Sequence, residues 1–151
     1  MWANGTLTLP QPLLDDLPPG VAQEALVPLG YRLNADRSGL VPVYAPGLPM
    51  LMAVFERIGG RHAVYYVVPI LAGVAIWVTY LLGRSLIGER GGSLAAFFLA
   101  TSPAFMLQLL YPPMSDIAAT AWWTLTLLLV WRAGPVSAFA AGLAACAAIL
   151  T

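Results

Sequence analysis

Residues 108–123 read QLLYPPMSDIAATAWW, and the carboxylate inside that apolar passage, Asp116, is the side chain best placed to do chemistry. An aspartate costs about 2.5–3.5 kcal/mol at the centre of a membrane helix and less towards its ends, so it is retained there for capping or for function. As a cap, Ser115 or Asp116 accepts backbone N–H groups at a helix start, and the carboxylate meets the positive end of the helix dipole. Facing an outer cavity, the same carboxylate suits a base, a group that orients a hydroxyl acceptor, or one ligand of a divalent metal. Thr120 and Trp123 follow at i+4 and i+7 and share its face on a regular helix. Their ordinary roles are helix packing for the threonine and interfacial anchoring for the tryptophan.

Few other side chains offer chemistry. Gln108 and Tyr111 lie three apart at the end of the preceding apolar run, on one side of it, where they can contact a polar head group. Tyr44 stands in VPVYAPGLP, whose prolines stiffen the backbone around an aromatic able to stack on a sugar or cover a phosphate. Arg32, Arg37, Arg57 and Arg61 offer guanidinium forks that match phosphate oxygens. His62 opens an apolar run as a lone imidazole, and Cys146 is the single cysteine, which supports neither a disulfide nor a metal site. No HExxH, CxxC, GxSxG or phosphate-cradling glycine motif occurs, so zinc, soluble-hydrolase and nucleotide chemistry have no support.

The elements that must hold these residues are apolar. Of 151 residues, 60% are hydrophobic and 9% charged. That balance points to an integral membrane protein. The seven basic residues, all arginine, balance seven acids without clustering, so neither nucleic acid nor polybasic lipid binding is expected. The hydrophobic runs predict an all-α, polytopic transmembrane bundle with helices at about 63–82, 93–110, 117–131 and 136–151. Pro69 and Pro103 kink the first two, and Ala138, Gly142 and Cys146 form a small-residue stripe on the fourth. Arg84 and Arg90 in GRSLIGERGG, with Arg132, mark the cytoplasmic side. YPPMSD and the region 1–62 then lie outside the cell membrane. In that outer region Asn34, Asp36, Ser38 and Gly39 predict a turn between two strand-like or irregular pieces. Leu48, Leu51, Met52, Phe55 and Ile58 recur at three and four, giving a short helix over about 48–58 that lies on the membrane face. The lack of a helix before 1–62 and the apolar ending ACAAILT suggest part of a longer membrane domain.

The order VPVYAPGLPMLMAVFERIGG, LLGRSLIGERGGSLAAFFLATSPAF, QLLYPPMSD resembles the early part of the C-type membrane glycosyltransferases. It is most like the bacterial dolichyl-phosphate-mannose-protein mannosyltransferase-like group that includes the aminoarabinose transferases of lipid A, over about residues 28–132. The resemblance implies a multi-pass enzyme of the bacterial inner membrane. It would move a sugar from a polyprenyl-phosphate donor to a lipid, glycan or protein acceptor of the cell envelope. It also implies that Asp116 matches an acid that opens a membrane helix in an outer loop. In the family an acidic residue of a pair just after the first helix acts as catalytic base or helps hold the substrates; that pair has no counterpart here, and Asp15-Asp16, which follows a proline-rich loop, does not inherit the role. The expected site therefore joins Asp116 as catalytic base with Tyr44, Ser115, Gln108, Tyr111, Arg57 and Arg61 as substrate-binding groups, a divalent metal being the one cofactor left open. The competing class is a transporter or flippase subunit with Asp116 on an ion or proton pathway. The absence of internal repeats and the crowding of six of the seven acids outside favour the transferase.

Overall fold

A computed structural model describes residues 5–6, 8–10, 12, 27–35, 39–110 and 114–151. Three short strands, β1 (Leu9–Pro10), β2 (Tyr31–Leu33) and β3 (Gly39–Pro42), form an antiparallel sheet in the order β1-β3-β2. Tyr31 pairs with Pro42 and Leu33 with Leu40, while Leu9 pairs with Leu40 from the other side. Leu40 on the central strand is therefore almost completely buried. Gly39 is needed here because a Cβ on it would lie 2.8 Å from the carbonyl oxygen of Leu9. Both prolines sit at strand ends, where a missing N–H costs the ladder little.

Helix α1 (Gly47–Gly59) follows directly, and it stops where Gly60 takes a φ of 74° and donates its N–H to the Glu56 carbonyl. A 3₁₀ turn, Arg61–Tyr66, leads into α2 (Val67–Thr101), then α3 (Pro103–Leu110), α4 (Ser115–Trp131) and α5 (Pro135–Leu150). α2 is broken at Gly88, whose φ is 83°, a conformation closed to most side chains. There the chain folds back on itself. Nine residues of straight helix would separate positions 83 and 92 by about 13 Å. Instead a Cβ on Gly83 would lie 2.9 Å from Gly92 Cα, and one on Gly92 would lie 2.6 Å from the Tyr80 carbonyl oxygen. Glycines on both legs let two backbones touch, so GRSLIGERGG is helical up to a one-residue turn and not an extended loop.

The buried core joins Val67, Val68, Leu71, Ala72 and Ala75 of the first leg to Phe105 of α3, Ile117, Ala118 and Ala121 of α4, and Leu48 of α1. Leu99 and Leu109 pack on it from the returning chain, which fixes the antiparallel sense of the two legs. Ala121 and, on α5, Ala141, Ala144 and Ala148 are buried, so small side chains mediate the close approach of α4 to α5.

Two expectations are corrected. The fold is not all-α, because a three-stranded sheet forms within 9–42. Nor is it the expected polytopic bundle of the multi-pass reading: among the described residues one helical stretch, Arg61–Thr101, is long and apolar enough to cross a membrane. Helices α3, α4 and α5 are all shorter than the ~20 residues that a bilayer requires. Apolar runs counted along a sequence include residues buried against neighbouring helices; Ser102 divides the run expected at 93–110, while α4 and α5 begin within two residues of their expected starts and are short because those runs are short. α1 likewise turns its stripe to protein, with Leu48 buried and Leu51, Met52 and Phe55 packed on the core, while Ile58 is 83% exposed. A three-to-four periodicity reports a buried face without saying whether lipid or protein covers it.

Candidate functional site

Asp116 lies in the first turn of α4. Ile117 and Ala118 beside it are fully buried, so the rotation of α4 is set by packing and the aspartate is left on the exposed flank. The residue before the helix, Met114, is extended (φ −97°, ψ 148°), and no side chain caps the helix start. The capping role is therefore absent: among the described residues the Asp116 carboxylate has neither a hydrogen-bond nor an ion-pair partner. Thr120 Oγ1 donates to the Asp116 backbone carbonyl at 2.7 Å and so turns back along the helix. Trp123 is half exposed. Neither joins the aspartate in a cavity.

Asp116 opens instead onto a cleft of about 510 Å³ between the start of α1, the start of α4 and the end of α5. Its walls include Tyr44, Leu48, Pro49, Met114, Ser115 and Thr151. Residues far apart along the chain thus converge, within the size range of small-molecule sites. A larger depression of about 680 Å³ follows residues 27–35, but among the described residues one contiguous segment lines it, so it brings together no described groups from different elements.

The position of Tyr44 is built locally. Tyr31 N–H donates to the Pro28 carbonyl at 3.1 Å across a turn whose third residue, Gly30, has a φ of 90°. That is the conformation a type II turn requires. Val43 N–H donates to the Gly30 carbonyl at 2.9 Å. The Tyr44 ring then rests on Gly30, where an added Cβ would meet ring carbon Cε2 at 2.7 Å. Although 70% exposed, the ring has one face supported. Gly47 performs a related service at the start of α1: a Cβ there would be 2.5 Å from the Leu150 carbonyl oxygen, so glycine lets α1 reach α5.

Of the residues expected at the site, Asp116, Ser115 and Tyr44 come together. Arg57 and Arg61 do not line the cleft. Arg57 lies in the last turn of α1, more than two helical turns beyond Pro49. A regular helix cannot bring residues two turns apart to one point. Gln108 is half-buried on α3 and does not line the cleft. Tyr111, Arg37 and the Asp15-Asp16 pair lie outside the described residues. Among the described residues no three or more His, Cys, Asp or Glu side chains are grouped as a metal site would need. Leu48, Pro49, Met114 and the two supporting glycines were missed by sequence reasoning; the only available signal was a glycine close to a stiff, proline-flanked turn.

No protein-family model matches the chain, and neither a curated protein nor a solved structure matches it.

Proposed function

We propose that this chain is part of a membrane-associated glycosyltransferase that takes a sugar from a polyprenyl-phosphate donor, with Asp116 as the base. One observation carries the reading: a carboxylate with no partner among the described residues opens, beside a serine hydroxyl and a supported aromatic ring, onto a cleft of small-molecule size. In the reaction the acceptor oxygen attacks the anomeric carbon, its proton passes to Asp116, and the bond from that carbon to the phosphate oxygen breaks with its electron pair leaving on polyprenyl phosphate. A positioned carboxylate of this kind contributes roughly 10²–10⁴-fold. Tyr44 supplies a flat face for a sugar ring, and Ser115 a donor or acceptor for a hydroxyl.

The helix packed against the base of α1 and α4 beside this cleft supports a membrane location for it. The leg 67–87 belongs to the one stretch, among the described residues, long and apolar enough to cross a bilayer. Its core-facing start packs with Leu48 and Ile117 near the cleft, while Arg84 and Arg90 flank the turn at its far end. The cleft and the basic turn are thus about 25–30 Å apart along the leg, as a cytoplasmic turn and an outer site require.

The test is the reconstituted protein with a polyprenyl-phosphate-linked sugar. Acceptor glycosylation with matching release of polyprenyl phosphate supports the reading. Proton- or ion-coupled movement of solute without sugar transfer would replace it with the transporter class.

A further inference from the structure

The fold-back at Gly88 sets two arginines on opposite legs of one turn. Arg84 stands near the end of the first leg and Arg90 at the start of the second. A Cβ on Gly92 would lie 3.0 Å from Arg84 Cβ. Arg90 precedes Gly92 by two helical residues, so the two arginines leave the backbone no more than about 10 Å apart. Both are exposed, and among the described residues neither has an ion-pair partner. Guanidinium forks at that spacing match a phosphate, whose oxygens accept hydrogen bonds from both. Glu89, also exposed, is the only acid within α2, so the turn keeps one net positive charge.

The residues between the arginines choose among anions. Leu86 and Ile87 are 51% and 74% exposed. Side chains on a helix lean towards its N-terminus, so these two lie back along the first leg. That leg belongs to the one described stretch long and apolar enough to cross a bilayer. A dissolved anion would leave Leu86 and Ile87 in water. A lipid offers phosphate at the level of the arginines and acyl chain beside the leg. We infer that the Gly88 turn binds an anionic phospholipid, its phosphate between Arg84 and Arg90 and its acyl chains against Leu86 and Ile87. The contact is separate from the Asp116 cleft and does not rest on the transferase reading.

The test titrates the full chain in dodecyl maltoside with dioctanoyl phosphatidylglycerol and with dioctanoyl phosphatidylcholine, reading lipid occupancy by native mass spectrometry. One arginine near an anionic head group contributes about fivefold. Two arginines against Glu89 therefore give phosphatidylglycerol about a fivefold advantage over phosphatidylcholine. Arg84→Gln or Arg90→Gln each removes that advantage. Glu89→Gln raises it to about 25-fold, a gain that misfolding does not produce. Arg61→Gln loses the same charge beyond the far end of the first leg and leaves the advantage within about twofold. Leu86→Ser weakens both lipids alike. Equal affinity of the unaltered chain for the two lipids would overturn the inference, as would an advantage that survives loss of both arginines. So would unchanged affinities in Leu86→Ser. Inorganic phosphate that displaces phosphatidylglycerol at equal concentration would overturn it too, by making a dissolved anion the ligand. Sugar transfer is not measured in these titrations, so their failure leaves the transferase reading untouched.

Discussion

Replacing Gly92 by alanine separates a helical hairpin from a straight helix by the sign of one measurement. In an unhindered helix the exchange stabilises by roughly 0.5–1 kcal/mol, since alanine has less backbone entropy to lose. At position 92 the new Cβ would lie 2.6 Å from the Tyr80 carbonyl oxygen, 2.8 Å from Arg84 N and 3.0 Å from Arg84 Cβ. Backbone atoms cannot rotate away, so the legs must part by several tenths of an ångström along the Gly83–Gly92 seam. Overpacking of this kind costs about 2–3 kcal/mol, leaving a net loss of ~1–2 kcal/mol after the helix gain. For a chain of this size that lowers Tm by about 2–8 °C. Gly73, also in α2 but with nothing within 4 Å of an added Cβ, is the control. Gly73→Ala should raise Tm by about 1–4 °C. Thermal unfolding followed by helical circular dichroism in one detergent compares the two. If Gly92→Ala stabilises as much as Gly73→Ala, the legs do not touch and the fold-back at Gly88 is refuted.

Ile117 is fully buried, and Ile117→Ala should destabilise by ~2–5 kcal/mol. Ile58→Ala, at an exposed position on α1, should change stability by no more than ~0.5 kcal/mol. Denaturant titration reads both, and equal effects would show that the α1 stripe is not packed as described. Gly30 has a left-handed φ of 90°, so Gly30→Ala should destabilise by ~1–2 kcal/mol. The same change should expose the Tyr44 ring to nitration at a higher rate; an unchanged nitration rate would dissociate the ring from Gly30. Asp116→Asn should lower Tm by no more than about 4 °C, because no neighbour among the described residues bonds its carboxylate and a first-turn charge gains at most ~1 kcal/mol from the helix dipole; a larger fall would reveal a structural role.

Much of the site was legible and much of the architecture was not. Asp116 declared itself because a carboxylate amid apolar chain is rare, and Tyr44 because prolines surround it. The turn that Asn34 and Gly39 predict does join two strands, with Asn34 N–H donating to the Gly39 carbonyl at 2.8 Å. The arginines misled because helical rise separates residues that look close along the sequence. The apolar runs misled differently: hydrophobicity measures removal from water, and Ile117, Ala121 and Phe105 achieve that against protein. The sharpness of the Gly88 turn was invisible because it depends on backbone contact between Gly83 and Gly92, a relation no local pattern encodes.

One carboxylate carries the proposed chemistry, and sugar transfer by the full protein carrying Asp116→Asn reads its role most directly. Transfer reduced at least about a hundredfold, with Tm within about 4 °C, membrane insertion unchanged and partial recovery in Asp116→Glu, is the predicted result. Turnover equal to that of the unaltered protein would contradict it.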